Sequence, residues 1–349
     1  MPSLTTALVQ ISGIALALIA LSGCFEKKSG TNPSETPAGP MTFSTGFLTV
    51  DSVRLESTDA APIARISGIA VDSGGRIIIA DASERTVRIY SSQGELLKSL
   101  GRTGDGPGEF REPRYVVALP GSELLIGEGG GRLHRYRDDT LLYSVQMDSV
   151  SFISSMSLAR PGAIVVSTGD QRESSIVELN LEGKFQRRTT VFKGIPVGET
   201  PEDPRWQSVF QVWAAACGST LYAAATIGDS IWETDSVGAM WRSHKVHYQG
   251  YSPPRLPSPA SPPNRARPFE SIKQYDVVQG LICDPKQVAF TYVRGVRNYG
   301  DPQVLMIRRG EQWSAHSSGP PVILLRSDTL YSLLHPGSDT TWIGKHVRR

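Results

Sequence analysis

Beyond residue 60 the chain moves in short apolar runs broken by Gly, Pro, Asp and Ser, and none keeps the spacing of an amphipathic helix. The clearest unit is ISGIAVDSGGRIIIADASERTVRIYSSQGELLKSLG, residues 66–101. It divides into four strands, Ile66–Val71, Arg76–Ala80, Thr86–Tyr90 and Glu95–Leu100. The intervening turns DSGG, DASER and SSQG supply residues that accept tight-turn backbone geometry. Four antiparallel strands in so short a segment is the size of one propeller blade, and a period of that length calls for copies.

Weaker copies follow. A second unit starts at Arg114 (RYVVALP, GSELLIGE, GGGRLHRYR, DDTLLYSVQ) and a third at Ser151. The fourth joins SVFQVWAAAC, TLYAAAT, SIWETDS and MWRSHKV; the fifth joins YDVVQGLIC, QVAFTYV, QVLMIRR and QWSAHSS. A sixth, from PPVILLRSDTLYSLL, stops after three strands. GFLTVDSVRLES, residues 46–57, alternates apolar and polar positions ahead of the first complete unit and is the spare strand. Adding it to the last blade closes a ring and leaves no open sheet edge between first and last blades. The expected fold is an all-β, six-bladed propeller of four-stranded antiparallel blades, the last one closed by an N-terminal strand.

The connector GRTGDGPGEFREP, residues 101–113, raises a choice between a phosphate cradle and a structural link. A phosphate loop needs converging backbone N–H groups at a helix start, usually with a Lys. Pro107 removes one donor, no Lys follows, and the next segment RYVVALP reads as a strand. The structural reading wins, with Phe110 filling the gap between blades. The connector and the first unit together resemble the NHL repeat: Gly104, Gly106, Gly108, Phe110 and Pro113 in the loop, then Gly68, Asp72, Asp81, Arg88 and Tyr90 in the strands. Later units keep the rhythm and lose most of these residues, so the resemblance, over about fifty residues, implies fold more than function.

The N-terminus changes the picture. MPSLTTALVQISGIALALIALSGC has no charged side chain before Glu26, and its end, LSGC, resembles the lipobox of bacterial lipoproteins. That resemblance implies cleavage before Cys24, acylation of Cys24 and, with Phe25 following, sorting to the outer membrane. The missing Lys or Arg ahead of the apolar run departs from the pattern. Residues 25–44 are rich in Ser, Thr, Pro and Gly and read as a tether. The expected organisation is a signal at 1–23, a flexible tether at 24–44 and the propeller at 45–349. Cys217 and Cys283 remain as a pair at the ends of equivalent apolar strands, open either to a disulfide in an exported protein or to two buried thiols.

Charge and candidate chemistry narrow the function. A net charge of +2 without a basic run beyond the terminal HVRR excludes nucleic acid as an expected partner. Strand parity puts the long blade-to-blade connectors and the second-to-third-strand turns on one face; the opposite face has only short turns. Long loops on a rigid ring are where binding resides. The candidate binding residues there are Trp206, Arg267, Arg294, Arg297 and Tyr299, with Arg85, Asp105, Asp170, Arg172 and Arg205 also on that face. Residues 250–268 form a proline-rich insertion that either docks a partner or makes an unstructured excursion.

Gluconolactonase-like propeller hydrolases hold a divalent metal through acidic side chains in the channel, but Asp276 is the single carboxylate on the expected inner strands. His244 and His247 are three apart on a strand and so point to opposite faces. No HExxH, GxSxG or EF-hand spacing occurs. No catalytic residue, metal or cofactor is therefore expected. The resulting expectation is a monomeric, membrane-tethered binding or scaffold propeller of the bacterial envelope, facing periplasm or cell surface, with a protein or envelope component as partner. The alternative is a propeller hydrolase or lyase acting at the pore mouth.

Overall fold

The computed structural model describes residues 41–58, 62–169, 173–193, 212–226, 230–235, 241–246, 248–252, 276–284, 287–294, 303–326, 328–334 and 341–349. Its first elements are β1 (Met41–Thr42), the single turn α1 (Phe43–Gly46) and β2 (Phe47–Arg54). Blade I contains β3 (Ile66–Val71), β4 (Ile77–Asp81), β5 (Thr86–Tyr90) and β6 (Leu96–Leu100). Blade II contains β7 (Pro113–Leu119), β8 (Glu123–Glu128), β9 (Arg132–Arg137) and β10 (Thr140–Gln146). Blade III contains β11 (Ser155–Arg160), β12 (Ala163–Gly169), β13 (Glu173–Asn180) and β14 (Phe185–Lys193).

Blade IV contains β15 (Val212–Cys217), β16 (Thr220–Ala225), β17 (Ser230–Asp235) and β18 (Arg242–Lys245). Blade V contains β19 (Asp276–Asp284), β20 (Gln287–Arg294), β21 (Gln303–Arg309) and β22 (Gln312–Gly319). Blade VI contains β23 (Val322–Arg326), β24 (Thr329–Leu334) and β25 (Trp342–Arg348). The protein is a six-bladed, all-β propeller. Each inner strand touches the next, and β23 returns to β3. No helix among the described residues is long and apolar enough to cross a membrane.

The strands form where both faces of the chain can be buried. In β3 and β4 every residue is buried, because each blade is sandwiched between two neighbours rather than lying with one face in water. The two faces feed different cores. Val87 and Ile89 of β5 join the cluster that runs into blades II and III, whereas Tyr90 joins the cluster shared with blades V and VI. Close inner-strand approach demands a missing side chain at Gly68, where a Cβ would lie 2.4 Å from the Arg114 carbonyl oxygen. Ser67 Oγ donates to the Pro113 carbonyl at 2.6 Å, and Ser155 Oγ to that of Ala214 at 3.1 Å, stapling inner strands across two blade boundaries.

Blade VI is completed as the sequence arithmetic requires. β2 pairs antiparallel with β25 from Phe47↔Arg348 to Arg54↔Trp342, giving the order β2-β25-β24-β23. The last residues of the stretch expected as tether, 41–44, are among the described residues. Met41 and Thr42 pair in parallel with His316 and Ser317, adding a fifth strand to blade V. Phe43 is what holds these residues to the ring. It is 6% exposed, stacks on Phe47 at 4.7 Å and meets His346 edge-on at 5.1 Å. Of the two readings open for the cysteine pair, the structure has the bridge. Cys217 and Cys283 are joined with Cα atoms 6.0 Å apart, linking inner strands β15 and β19.

Candidate functional site

The connector between β6 and β7 is a built link. Phe110 is fully buried, edge-on to His134 at 4.8 Å, and packs in the core shared by blades I and II. Its N–H donates to the Arg102 carbonyl at 2.7 Å, and Thr103 and Phe110 form a parallel bridge. Gly101, at φ +78°, makes room for the ring; a Cβ there would meet it at 2.2 Å. Glu109 accepts from the Gly106 N–H at 2.8 Å and from Arg102 Nε at 2.9 Å. These local partners hold its carboxyl below the usual glutamate range, the Gly106 N–H first. The loop uses its donors on its own carbonyls and carboxylate and on Ser144 and Glu128 of blade II, which is what a structural connector does.

The same face carries a repeated carboxylate device. Asp81, at the end of β4, is fully buried and accepts from the N–H groups of Ala64 (2.7 Å) and Arg65 (3.1 Å). It also accepts from Ser83 and Glu84 N–H groups and from Arg88 Nη1 at 3.2 Å. Glu128, at the end of β8, does the same one blade on. It accepts from the N–H groups of Arg111 (2.7 Å) and Glu112 (3.0 Å) and pairs with His134 Nε2 at 2.8 Å. Burial raises the Glu128 carboxyl, but hydrogen bonds from His134 and from those two N–H groups outweigh it and leave the group below the usual range. Each carboxylate fixes the last residues of a connector where they enter an inner strand. Asp72 acts on the opposite face, capping its own turn through Gly74 and Arg76 N–H groups, both at 2.9 Å.

Held by these clamps, Arg65, Glu112 and Arg114 meet where the inner strands β3 and β7 begin, on the connector face. Arg65 Nη2 lies 3.3 Å and Arg114 Nη2 2.7 Å from the same Glu112 oxygen. Two guanidinium groups thus share one carboxylate oxygen, and the trio carries a local positive excess. Arg114 has a 10% exposed side chain and sits over the Phe152 ring at 6.0 Å. Such a set can receive an acidic or hydrogen-bond-accepting group. Sequence reasoning passed over it because its members are ordinary charged residues at strand starts. The available signal was the matched placement of Asp81 and Glu128 at the ends of equivalent strands.

The sequence-predicted site residues are distributed differently. Trp206, Arg267, Arg297 and Tyr299 lie outside the described residues, as do Asp170, Arg172, Arg205, His247, Cys24 and the proline-rich insertion from residue 253 onward. Arg294 ends β20, its backbone opposite Asp276. Arg85 is exposed in the β4–β5 turn with φ 54°, and Asp105 is ion-paired to Arg111. Asp276 is 1% exposed and accepts from the Ser252 N–H at 2.7 Å, a structural use of the inner-strand carboxylate. Among the described residues, no three His, Cys, Asp or Glu side chains gather in a manner that would hold a metal.

Comparison with other proteins agrees on architecture. A family model described as a 6-bladed beta-propeller matches residues 40–117. No curated protein matches the chain by sequence. Among solved structures, a protein described as a candidate for export from Bacteroides fragilis superposes with a TM-score of 0.62 at 11% identity, covering 90% of this chain and 99% of its own. A member of the duf4221 family from Bacteroides vulgatus superposes with a TM-score of 0.54 at 8% identity, covering 90% and 97%. A virginiamycin B lyase from Staphylococcus aureus reaches only 0.48 at 13% identity, covering 86% and 98%, a likeness too slight to carry chemistry.

Proposed function

We propose that this protein is an NHL-like propeller lipoprotein of the bacterial outer membrane, tethered through acylated Cys24, that binds a protein or envelope component on its connector face. The reading is supported most by one observation. Connector ends are clamped by Asp81 and Glu128 where inner strands begin, and there Arg65 and Arg114 share a single Glu112 oxygen. A rigid rim with a positive excess suits an acidic group on the partner, with Trp206, Arg267, Arg294, Arg297 and Tyr299 supplying the surrounding contacts. The opposite face offers turns such as Asp72–Gly75 and Pro161–Gly162, which give little surface for selectivity. Export is consistent with the apolar N-terminal run and with the exported description of the Bacteroides fragilis propeller.

Two experiments test it. Cys24→Ala should lose acyl label and leave the membrane fraction; equal membrane association of both proteins without acylation would remove the lipid anchor from the reading. Photo-crosslinking residues placed at 206, 267 and 297 should capture one envelope partner in cells, and the same residue at 74 and 162 should not. Capture from 74 and 162 alone would reverse the face.

A further inference from the structure

The described chain begins on the outer wall of the ring rather than on either face. β1 lies on the outer strand of blade V, and β2 is itself the outer strand of blade VI. Around that point the wall is apolar in an unusual way. Six large hydrophobic side chains are exposed among the described residues, and three of them fall within ten residues here: Met41 (44%), Leu48 (46%) and Val50 (52%). Next to them the wall is basic. Arg348 pairs across from Phe47, the Arg349 N–H donates to the Gly46 carbonyl at 3.0 Å, both side chains are exposed, and neither makes an ion pair among the described residues. Asp51, on β2 itself, is engaged by Lys345 at 2.6 Å.

We propose that this wall, centred on Leu48, Val50, Arg348 and Arg349, docks on an anionic lipid surface, so that the propeller stands edge-on to the membrane. The proposal rests on the tethered reading above. Cys24 precedes Met41 by 17 residues of sequence. A flexible segment of that length has an r.m.s. span of only about 23 Å. Bilayer lipid is therefore present at high effective concentration beside this wall, and weak contacts suffice to settle it. Exposed aliphatic side chains flanked by unpaired arginines match the interface between acyl chains and anionic headgroups. The consequence for function is orientation: a wall parallel to the channel axis places that axis along the membrane plane. The connector face then opens sideways, accessible to partners in the same leaflet.

The test uses the full acylated chain in vesicles of phosphatidylethanolamine and phosphatidylglycerol containing nitroxide-labelled lipid. One variant carries a fluorophore at Leu48→Cys; a second carries it at Leu142→Cys, a 44% exposed position on the outer strand of blade II, two blades further round the ring. Lipid quenching should be strong at position 48 and weak at 142. Arg348→Gln with Arg349→Gln should lower the docked-to-free ratio about 30-fold at low salt. Equal quenching at the two positions overturns the proposal. So does an absence of quenching at position 48 while the unlabelled Leu48→Cys protein forms a disulfide-linked dimer through its introduced thiol, which would assign the wall to a second copy. The mass of the Cys24 peptide reports acylation separately, and the contrast between 48 and 142 reads out whichever way the chain is anchored.

Discussion

Ring closure by β2 can be tested with one side chain. Phe47 is 5% exposed, stacks on Phe43 at 4.7 Å and meets the His316 ring edge-on at 4.9 Å. It therefore links the N-terminal segment to blades V and VI at once. Removing a buried aromatic ring costs about 3–5 kcal/mol from lost transfer energy and the cavity left behind. At ~2 cal/mol/K of unfolding entropy per residue over roughly 300 residues, that loss lowers the midpoint by about 5–8 °C. The control is the next residue on the same strand. Leu48 is 46% exposed. Its change to Ala should stay within about 0.5 kcal/mol, under 1 °C. Calorimetry of the wild type, Phe47→Ala and Leu48→Ala decides the matter. Equal midpoints for Phe47→Ala and wild type would show that β2 is not part of the closure.

Two further outcomes follow from the same boundary regions. Burial, helped by the Arg348 charge, pushes the His316 imidazole from 6.5 down to about 4, and burial lowers His346 as well. The unfolded chain then takes up the proton first, so stability is full above about pH 6.5 and falls towards pH 4, by about 3 kcal/mol for His316. Melting curves between pH 7 and 4.5 should show that slope, and His316→Met should flatten it; an unchanged slope refutes the assignment. The Cys217–Cys283 bridge closes a sequence separation of 66 residues, worth about 4 kcal/mol through restriction of the unfolded chain. Cys217→Ser with Cys283→Ser should unfold at correspondingly lower denaturant, whereas an unchanged midpoint would mean the pair adds nothing to stability.

Much of this architecture was legible along the chain because blades are built from local contacts. In blade I the strand limits expected from turn residues and those observed differ by one residue at β4 and β6. The Gly, Asp and Ser positions that end each run are the ones whose backbone must turn. The closing strand was legible for a different reason: a count of strands in the last unit left one place empty. Other features needed three dimensions. Phe43 lies in a segment whose composition says tether, and only its contacts with Phe47 and His346 show it to be core. Arg65, Glu112 and Arg114 are dispersed along the sequence and become a cluster because β3 and β7 start side by side. The cysteines occupied equivalent places in their units, which fixed their neighbourhood but not their oxidation.

The blades use one solution early in the chain and others later. In blades I and II a carboxylate at the end of the second strand gathers connector N–H groups, and its partner on the third strand is Arg88 in one and His134 in the other. Those two partners stand opposite Ile79 and Ile126, so the device is geometrically the same though its chemistry has diverged. The corresponding partner in blade III, opposite Val166, is Val177, which can make no such bond. Between blades IV and V the chain instead uses the disulfide and the Arg308–Glu233 pair, with Arg308 5.7 Å from the ring centroids of both Tyr222 and Trp313. Glu233 is held at about 2, first by the His244 hydrogen bond and against burial. At the same boundary Asp276, which opens β19, still takes a connector N–H, that of Ser252 at 2.7 Å, so the carboxylate device and the newer ones stand side by side. A ring held by its walls can vary its loops, which is the condition a binding face requires.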